Sequence, residues 1–360
     1  MPFNIYDTHT LLLSVSQLPP VHTFLLDRYF PTNEATDIFA TMDVLVEYKK
    51  GSQKAAPWVA PRKGGITIMR DGYRMDRFTP GKIAPERPLT VDDLRRRGFG
   101  EALYPNLTPA QRQGALIVGD LDEMHGMIAR RKEKMAADVI FTGGCVMDAY
   151  VDDLGKHEAS EVRFYEGESY PGIFTPSANW DTTAASGKQI LADIAAMISI
   201  NTKRGIPATE VLMAPDVADL FLSNEWIISL LDNRNYMIGG VDPELLPSGV
   251  AKIARLNIKG RMIDFLSYED SYEEVDGTTK QYLPEGKIAV AAPAAGRTVY
   301  GAITQVEQSD GEFHTYTAKE VPKYVSDVDN DIRKVRLTSA PLCVPNNESP
   351  FIVADVLGGD

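Results

Sequence analysis

The sequence predicts an α+β protein organised around one long helix, and three observations predict it. From Thr108 to Thr142 an apolar repeat runs unbroken: Thr108 can cap, Pro109 suits the first helical position, and no further proline occurs until Pro171. Residues 41–50 and 66–75 instead alternate with period two, as half-buried strands do. Between residues 186 and 305 helical and strand-like runs alternate, as in a compact α/β lobe.

Residues 1–41 read as an N-terminal arm. Asp7 to Val15 can start a short helix, which Leu18-Pro19-Pro20 breaks. Phe24-Leu25-Leu26-Asp27-Arg28-Tyr29-Phe30 follows as an apolar-aromatic turn, costly to leave in water, so it is expected to pack on the body or on a neighbour. Residues 42–80 read as an extended hairpin loop. Met42, Val44, Val46 and Tyr48 share one face of its first strand. Residues 51–65, with Pro57, Pro61 and three glycines, make the tip, and Ile66, Ile68, Tyr73 and Met75 mark the returning strand, with Asp71-Gly72 as a bulge or turn. Two strands alone are marginal in water. One copy is therefore expected to be unable to bury the hairpin or the aromatic arm by itself.

Residues 81–185 read as a peripheral domain built on a spine helix at 108–142. Leu116, Leu121, Met124, Ile128, Met135 and Val139 trace its apolar stripe, Arg130 to Lys134 read as a solvated stretch, and Gly143-Gly144 stop it. At 1.5 Å per residue this is a rod of roughly 50 Å. Glu161 to Tyr165 is the clearest strand after it. In the axial lobe, 186–305, a helix from about Gly187 to Arg204 carries Ile190, Ile194, Met197 and Ile198 on one stripe. Val211 to Pro215 is a buried strand, Asp216 caps a short helix to Leu222, and Asn224 to Leu231 is another helix. Strands follow near 251–258, 261–268 and 287–292, with Asp276-Gly277 as a hairpin turn. Residues 306–360 read as returning peripheral strands and a C-terminal tail, with strand from 331 to 345.

The 360 residues, 44% apolar and 24% charged, have ordinary soluble composition and are enough for two or three lobes. No basic leader, signal-length apolar run or membrane-length segment occurs, so a cytoplasmic setting is the simplest expectation. Cys145 and Cys343 are far apart and lack a CxxC neighbour, which argues against a disulfide framework or a zinc site.

Enzyme chemistry finds little support. Ser186-Gly187-Lys188 approaches a phosphate loop, but Thr182 stands where the leading glycine is needed and Gln189 replaces the Ser/Thr metal ligand. It reads better as a helix N-terminus, and a nucleotide-dependent enzyme acting through Lys188 is the weakest reading. His9, His22, His125, His157 and His314 show no metal-ligand spacing, and Asp122, Glu123 and His125 point to different faces of the helix. Asp152 and Asp153 beside His157 have no nucleophile motif nearby. Glu269, Asp270, Glu273, Glu274 and Asp276 lack calcium-loop spacing and read as a solvated loop. No catalytic residue, cofactor or metal is expected.

The hairpin carries the charge signal. Residues 47–82 hold nine Lys or Arg (Lys49, Lys50, Lys54, Arg62, Lys63, Arg70, Arg74, Arg77 and Lys82) against Glu47, Asp71 and Asp76, in a chain whose net charge is −13. A basic ribbon on an acidic body calls for an acidic partner. Trp58, Tyr73 and Phe78 are interleaved in it, as a single-strand binder could use, so a cytoplasmic nucleic-acid-binding protein using residues 47–82 is the alternative reading. The global acidity runs against a DNA grip and favours a protein neighbour. Lys49, Lys50, Lys54, Trp58, Arg62, Lys63, Arg70, Arg74 and Arg77 are the candidate contact residues between subunits.

The order of parts, and short motifs along it, resemble the tailed-phage major capsid proteins of the Hong Kong 97 type, more specifically the lambda-type head proteins. The motifs are Phe78-Thr79-Pro80-Gly81 leading into Ala84-Pro85; Thr142-Gly143-Gly144 through Asp152-Asp153-Leu154-Gly155; Tyr282-Leu283-Pro284 followed by Gly296-Arg297-Thr298-Val299-Tyr300-Gly301; and Thr338-Ser339-Ala340-Pro341-Leu342. The likeness spans about residues 20–345. It implies a Hong Kong 97-type capsid fold with N-terminal arm, extended hairpin loop, peripheral domain with long spine helix, and α/β axial domain. It implies a structural protein that self-assembles as hexamers and pentamers into an icosahedral virion shell around double-stranded DNA, with assembly in the host cytoplasm. The DNA would be a partner only by non-specific proximity, and no membrane is involved. With no long charged helix at the N-terminus, a separate scaffold is implied, and a decoration protein is a further partner of such shells. No Lys and Asn are singled out for crosslinking.

Overall fold

Helix Pro109–Thr142, 34 residues long, is the axis of the molecule in a computed structural model that describes residues 8–19, 21–49, 73–91, 93, 109–150, 157–181, 186–231, 239–240, 245–246, 249–308, 310–327 and 332–358. It lies in two cores. Its N-terminal half buries Ile117, Leu121, Met124 and Ile128 against Leu11, Val335 and Leu337. Its C-terminal half places Met135, Ala136, Val139, Ile140 and Phe141 in the main core. The helix stops because Gly143 turns to φ +70°, where a Cβ would lie 2.3 Å from the Tyr170 ring.

The main core sits under an eight-stranded mixed sheet. Its order is Ile173–Phe174, Ile352–Asp355, Lys287–Ala291, Glu210–Met213, Arg261–Tyr268, Val250–Ile258 and Gly239–Gly240, with Leu245–Leu246 also on Val250–Ile258. Glu210–Met213 is central and buried at every position, and it runs parallel to Arg261–Tyr268. Helix Gly187–Lys203 buries Ile190, Ile194, Met197 and Ile198 in this core, the stripe its sequence predicts. Two boundaries differ in their chemistry. Asp216 does not cap the next helix, Pro215–Ser223. Pro215 opens it, and Asp216 lies in the first turn accepting from the Gly286 N–H at 2.7 Å. Asn224 does cap, accepting from the N–H groups of Trp226 and Ile227 at the start of Glu225–Leu231.

The C-terminal 55 residues are shared among several sheets. Ile332–Thr338 pairs with Glu86–Thr90 and Val321–Asp327 in a three-stranded sheet, and Pro341–Pro345 pairs with Gly296–Tyr300. The final strand, Ile352–Asp355, enters the eight-stranded sheet beside Lys287–Ala291, because Ile352, Val353 and Ala354 have apolar side chains for both of its faces. The clearest post-spine strand is His157–Arg163, paired with Gly144–Tyr150. Both edges of the three-stranded sheet carry an obstacle to strand addition. The Gln308 side-chain amide exchanges two 2.7 Å hydrogen bonds with the Ser326 backbone, and Pro88 occupies the opposite edge strand.

The aromatic arm packs on its own chain. Helix Thr8–Ser16 lies on the N-terminal half of the spine, with Leu11 buried and the Thr8 hydroxyl donating to Glu307 at 2.7 Å. Phe24, Leu25, Tyr29 and Phe30 are buried around the short helix Leu25–Tyr29, and Phe30 meets Phe351 at 5.6 Å between ring centroids. No neighbour is needed to cover this run, contrary to the sequence expectation. The reason is a carboxylate. Glu133 Oε1 accepts from the N–H groups of Phe24 and Leu25 at 3.0 and 2.7 Å and from the Tyr268 hydroxyl at 3.0 Å, and Oε2 accepts from the Leu26 N–H at 2.9 Å.

Residues 130–134 are thus not a solvated stretch. Glu133 is 1% exposed and Lys132 6%, because the arm and the sheets surround the spine on several sides at this level. Lys132 Nζ bonds Glu320 at 3.1 Å, and Glu320 also bonds His125 Nδ1 at 2.7 Å. Burial pushes the Glu133 carboxyl above its ordinary value, against the pull of its N–H donors. Burial acts the same way on Glu320, but the His125 hydrogen bond and the Lys132 charge outweigh it and hold that carboxyl below the ordinary range.

Glu133→Ala leaves three buried N–H donors unpaired and is expected to cost about 3 kcal/mol or more, read from urea unfolding of soluble subunits at neutral pH. The two carboxylates respond to acid in opposite senses. Glu320, with a lowered folded value, contributes stability above the unfolded carboxyl range that is lost as pH falls through its folded value. Glu133, with a raised value, contributes most at low pH and less as pH rises. Glu320→Gln is therefore expected to lower stability at neutral pH yet make the decline below about pH 4.3 shallower than in the parent, measured as urea midpoints across the acid range.

Candidate assembly surface

The root of the predicted hairpin is an antiparallel ribbon of Val44–Lys49 with Tyr73–Phe78, in register from Val44 opposite Phe78 to Lys49 opposite Tyr73. Alternation turns Val44 and Val46 inward, where both are buried. Phe78, on the same face, meets Phe164 edge-on at 5.2 Å between centroids. The other face carries Leu45 opposite Arg77 and Glu47 opposite Met75, and Leu45 and Met75 stand 51% and 49% exposed. The ribbon is nailed to its own core at the root while an apolar and charged face stays open to a neighbour.

Charge pairs close the root. Asp43 accepts from Arg77 and, at 2.6 Å, from the Thr79 hydroxyl, and those hydrogen bonds hold its carboxyl below the ordinary value. Arg74 is tied to Asp76 and, at 3.4 Å, to Glu166 of the same chain. Lys49 ends the first strand. Lys50, Lys54, Trp58, Arg62, Lys63 and Arg70 lie outside the described residues, as do the Asp71-Gly72 turn and Thr108.

Several of the motifs that approach chemical sites have structural explanations. Ser186 caps helix Gly187–Lys203, its side chain accepting from the Gln189 N–H. Gly187 is needed for packing: a Cβ there would lie 2.5 Å from Asn224 Oδ1 and 2.7 Å from the Trp226 ring. His125 belongs to the Glu320 cluster, and His314 pairs with Asp310 at 2.8 Å. In the acidic run Glu274 bonds Arg131 at 2.9 Å and Asp276 closes its own turn on Thr278, while Asp152 and Asp153 fall outside the described residues. Among the described residues no group of three or more His, Cys, Asp or Glu is placed to hold a metal ion, and no helix is long and apolar enough to cross a membrane. Cys145 and Cys343 are free and buried, and burial pushes the Cys145 thiol up to about 12.

Residues 7–356 match the family described as phage major capsid protein E. The chain belongs to that family. The major capsid protein of Enterobacteria phage P21 is 23% identical over 367 residues, covering 98% of this chain and 99% of that protein. The major capsid protein of Escherichia phage lambda is 22% identical over 357 residues, covering 97% and 98%. In fold, the chain is similar to the capsid protein of an Escherichia coli CFT073 prophage, with TM-score 0.63 and 18% identity over 97% of this chain and 99% of that one. A phage-related protein from Bordetella bronchiseptica RB50 gives TM-score 0.52 and 9% identity over 97% of each chain.

The fold is the Hong Kong 97-type capsid fold, and the chain is a tailed-phage major capsid protein that forms the head shell. The family is structural, not enzymatic. The nucleic-acid-binding reading of the basic hairpin is unsupported. Sequence reasoning missed Glu133, Lys132 and Glu320, the charged groups that fix the arm and the returning strands to the spine. The signal was present: the capsid protein's apolar stripe steps seven residues from Ile128 to Met135, and the position it skips, four after Ile128, is Lys132.

Phe78→Ala removes the aromatic contact at the ribbon root and is expected to cost about 2–3 kcal/mol. Amide exchange should quicken along Val44–Lys49 and Tyr73–Phe78 while the eight-stranded sheet keeps its protection, measured by hydrogen exchange on soluble subunits.

Proposed function

We propose that copies of this chain close an icosahedral shell around double-stranded DNA, with the hairpin at 42–80 laid across the adjacent copy. The observation that carries this reading is the concentration of basic residues in that hairpin on a chain of net charge −13, with the hairpin's root buried through Val44 and Val46. Lys49, Lys50, Lys54, Trp58, Arg62, Lys63, Arg70, Arg74 and Arg77 make the contact in this reading, with Arg74 also tied to Asp76 and Glu166 and Arg77 to Asp43 of their own chain. The neighbour is heterologous: one surface meets a different surface on the next copy, and rotation closes the ring.

Residues 81–185, with most of the returning segment 306–360, form the peripheral domain, and residues 186–305 form the axial domain that meets its copies at the five- and six-fold centres. The shell is built from hexamers and pentamers in the host cytoplasm, with a separate scaffold and a decoration protein as partners. The acidic body leaves DNA able to slide along the wall, since few phosphates are gripped by counterion-releasing cations.

Deleting residues 50–66 is expected to leave soluble subunits that no longer form stable shells, seen by negative-stain microscopy before and after heating. Shells that assemble and survive heating like the parent's would remove the hairpin from this role.

A further inference from the structure

We propose that the outward face of the three-stranded sheet, centred on Lys82, Lys323, Lys334 and Arg336, docks a carboxylate-bearing surface of a second copy of this chain. The inference rests on the shell-forming reading and adds to it a contact outside the hairpin.

Alternation divides the sheet into two faces. Leu89, Val335 and Leu337 are buried, and Ile83 and Tyr324 pack with the cluster on the spine helix. Arg87 points the same way and pairs with Asp120 and Glu123 of the spine. Of the residues between them, Val321 and Thr338 are buried at one end, where Val321 packs with Ile303, and Lys323, Lys334 and Arg336 face outward. There Lys323 stands directly opposite Arg336, which stands opposite Glu86. Lys334 lies one outward position along, and Lys82 precedes the Ile83–Ser339 bridge that extends the sheet. Like charges directly opposite on neighbouring strands repel.

One carboxylate, Glu86, serves this group, and it is already occupied by Arg336 at 2.7 Å and Lys334 at 3.2 Å. Lys82 and Lys323 make no ion pair among the described residues. Asp327, also on this face, is four residues beyond Lys323, about 13 Å along the strand. The ammonium of Lys82 is held below the usual lysine range by burial and then by the charges of Arg336 and Lys323. The isolated subunit thus holds crowded cations that an external anion would relieve.

The chemistry selects the occupant. Glu86 in the middle of the patch disfavours a run of phosphates, whereas single protein carboxylates can reach Lys82 and Lys323 from the side. A second copy supplies them from an acidic body, for instance the exposed Glu269, Asp270, Glu273 and Asp276. Gln308 and Pro88 obstruct the sheet's edges, which favours docking through side chains over strand addition.

The test is Lys323→Glu in the full chain. The substitution turns repulsion into attraction toward Arg336 and Lys82, so the isolated subunit should melt at a higher temperature than the parent, while its rate of shell formation by light scattering falls about tenfold or more. Parent-like assembly of this variant overturns the proposal. In parent shells built from mixed nitrogen-15 and unlabelled copies, carbodiimide should couple Lys82 or Lys323 to an Asp or Glu of a different copy, and should not do so in free subunits. Absence of that coupling also overturns it. Normal variant shells that lose DNA at lower salt would assign the patch to nucleic acid and overturn the second-copy occupant. If the parent itself forms no shells even when co-produced with the scaffold, the shell-forming reading fails with it, an outcome separate from failure of the variant alone.

Discussion

The structure turns on one buried carboxylate. Glu133 sits in the C-terminal half of the spine helix, and its two oxygens collect three backbone N–H groups from the start of Leu25–Tyr29 and the hydroxyl of Tyr268. A helix N-terminus exposes unpaired N–H donors and a partial positive charge, so an anion placed there satisfies both. Here the anion comes from a residue more than a hundred positions away in sequence. Three parts of the chain, the arm, the spine and the sheet of the main core, meet at one side chain. The aromatic rings of Phe24, Tyr29 and Phe30 then pack where that anchor puts them.

One turn of helix holds two such anchors of different kinds. Glu133 ties the spine to what precedes it in the chain, and Lys132, through Glu320, ties it to what returns at the end. Adjacent residues on a helix project about 100° apart, which is why two neighbours can hold segments on different sides. Burying such charges costs desolvation energy, so they are a weak source of stability but a strict source of placement: a shifted arm or a slipped strand would strand an ion in the core. For a subunit whose surfaces must match those of identical copies, placement is the more important of the two.

Much of the architecture was legible in the sequence because the strongest signals are local. The spine followed from Pro109, the absence of later prolines and the Gly143 stop, and the helix at 187–203 followed from its apolar stripe. The hairpin root followed from period-two alternation at Val44 and Val46. What stayed hidden is non-local. Arg130 to Lys134 looks solvated by composition, and only a count of the stripe exposes Lys132 as a position that must face inward. Glu133 gives no such sign, since its partners are backbone N–H groups that every sequence contains. The destination of Ile352–Asp355 was also hidden, because a four-residue apolar strand fits either sheet and long-range pairing decides. Among the predicted contact residues, Arg74 has a partner that a local charge count does not show, since Glu166 lies far along the chain.

The Gln308–Ser326 exchange bears on how errors in a growing lattice are undone. Backbone pairing between two exposed strands is indifferent to side-chain identity, can slip in register, and once extended is slow to break. By occupying part of that edge with its own amide, the subunit hinders there a mode of association that cannot tell a right neighbour from a wrong one. In the docking proposed for this sheet recognition rests on charge, which is weak per contact, falls off with ionic strength, and is quick to reverse. A copy that arrives in the wrong orientation can therefore leave again.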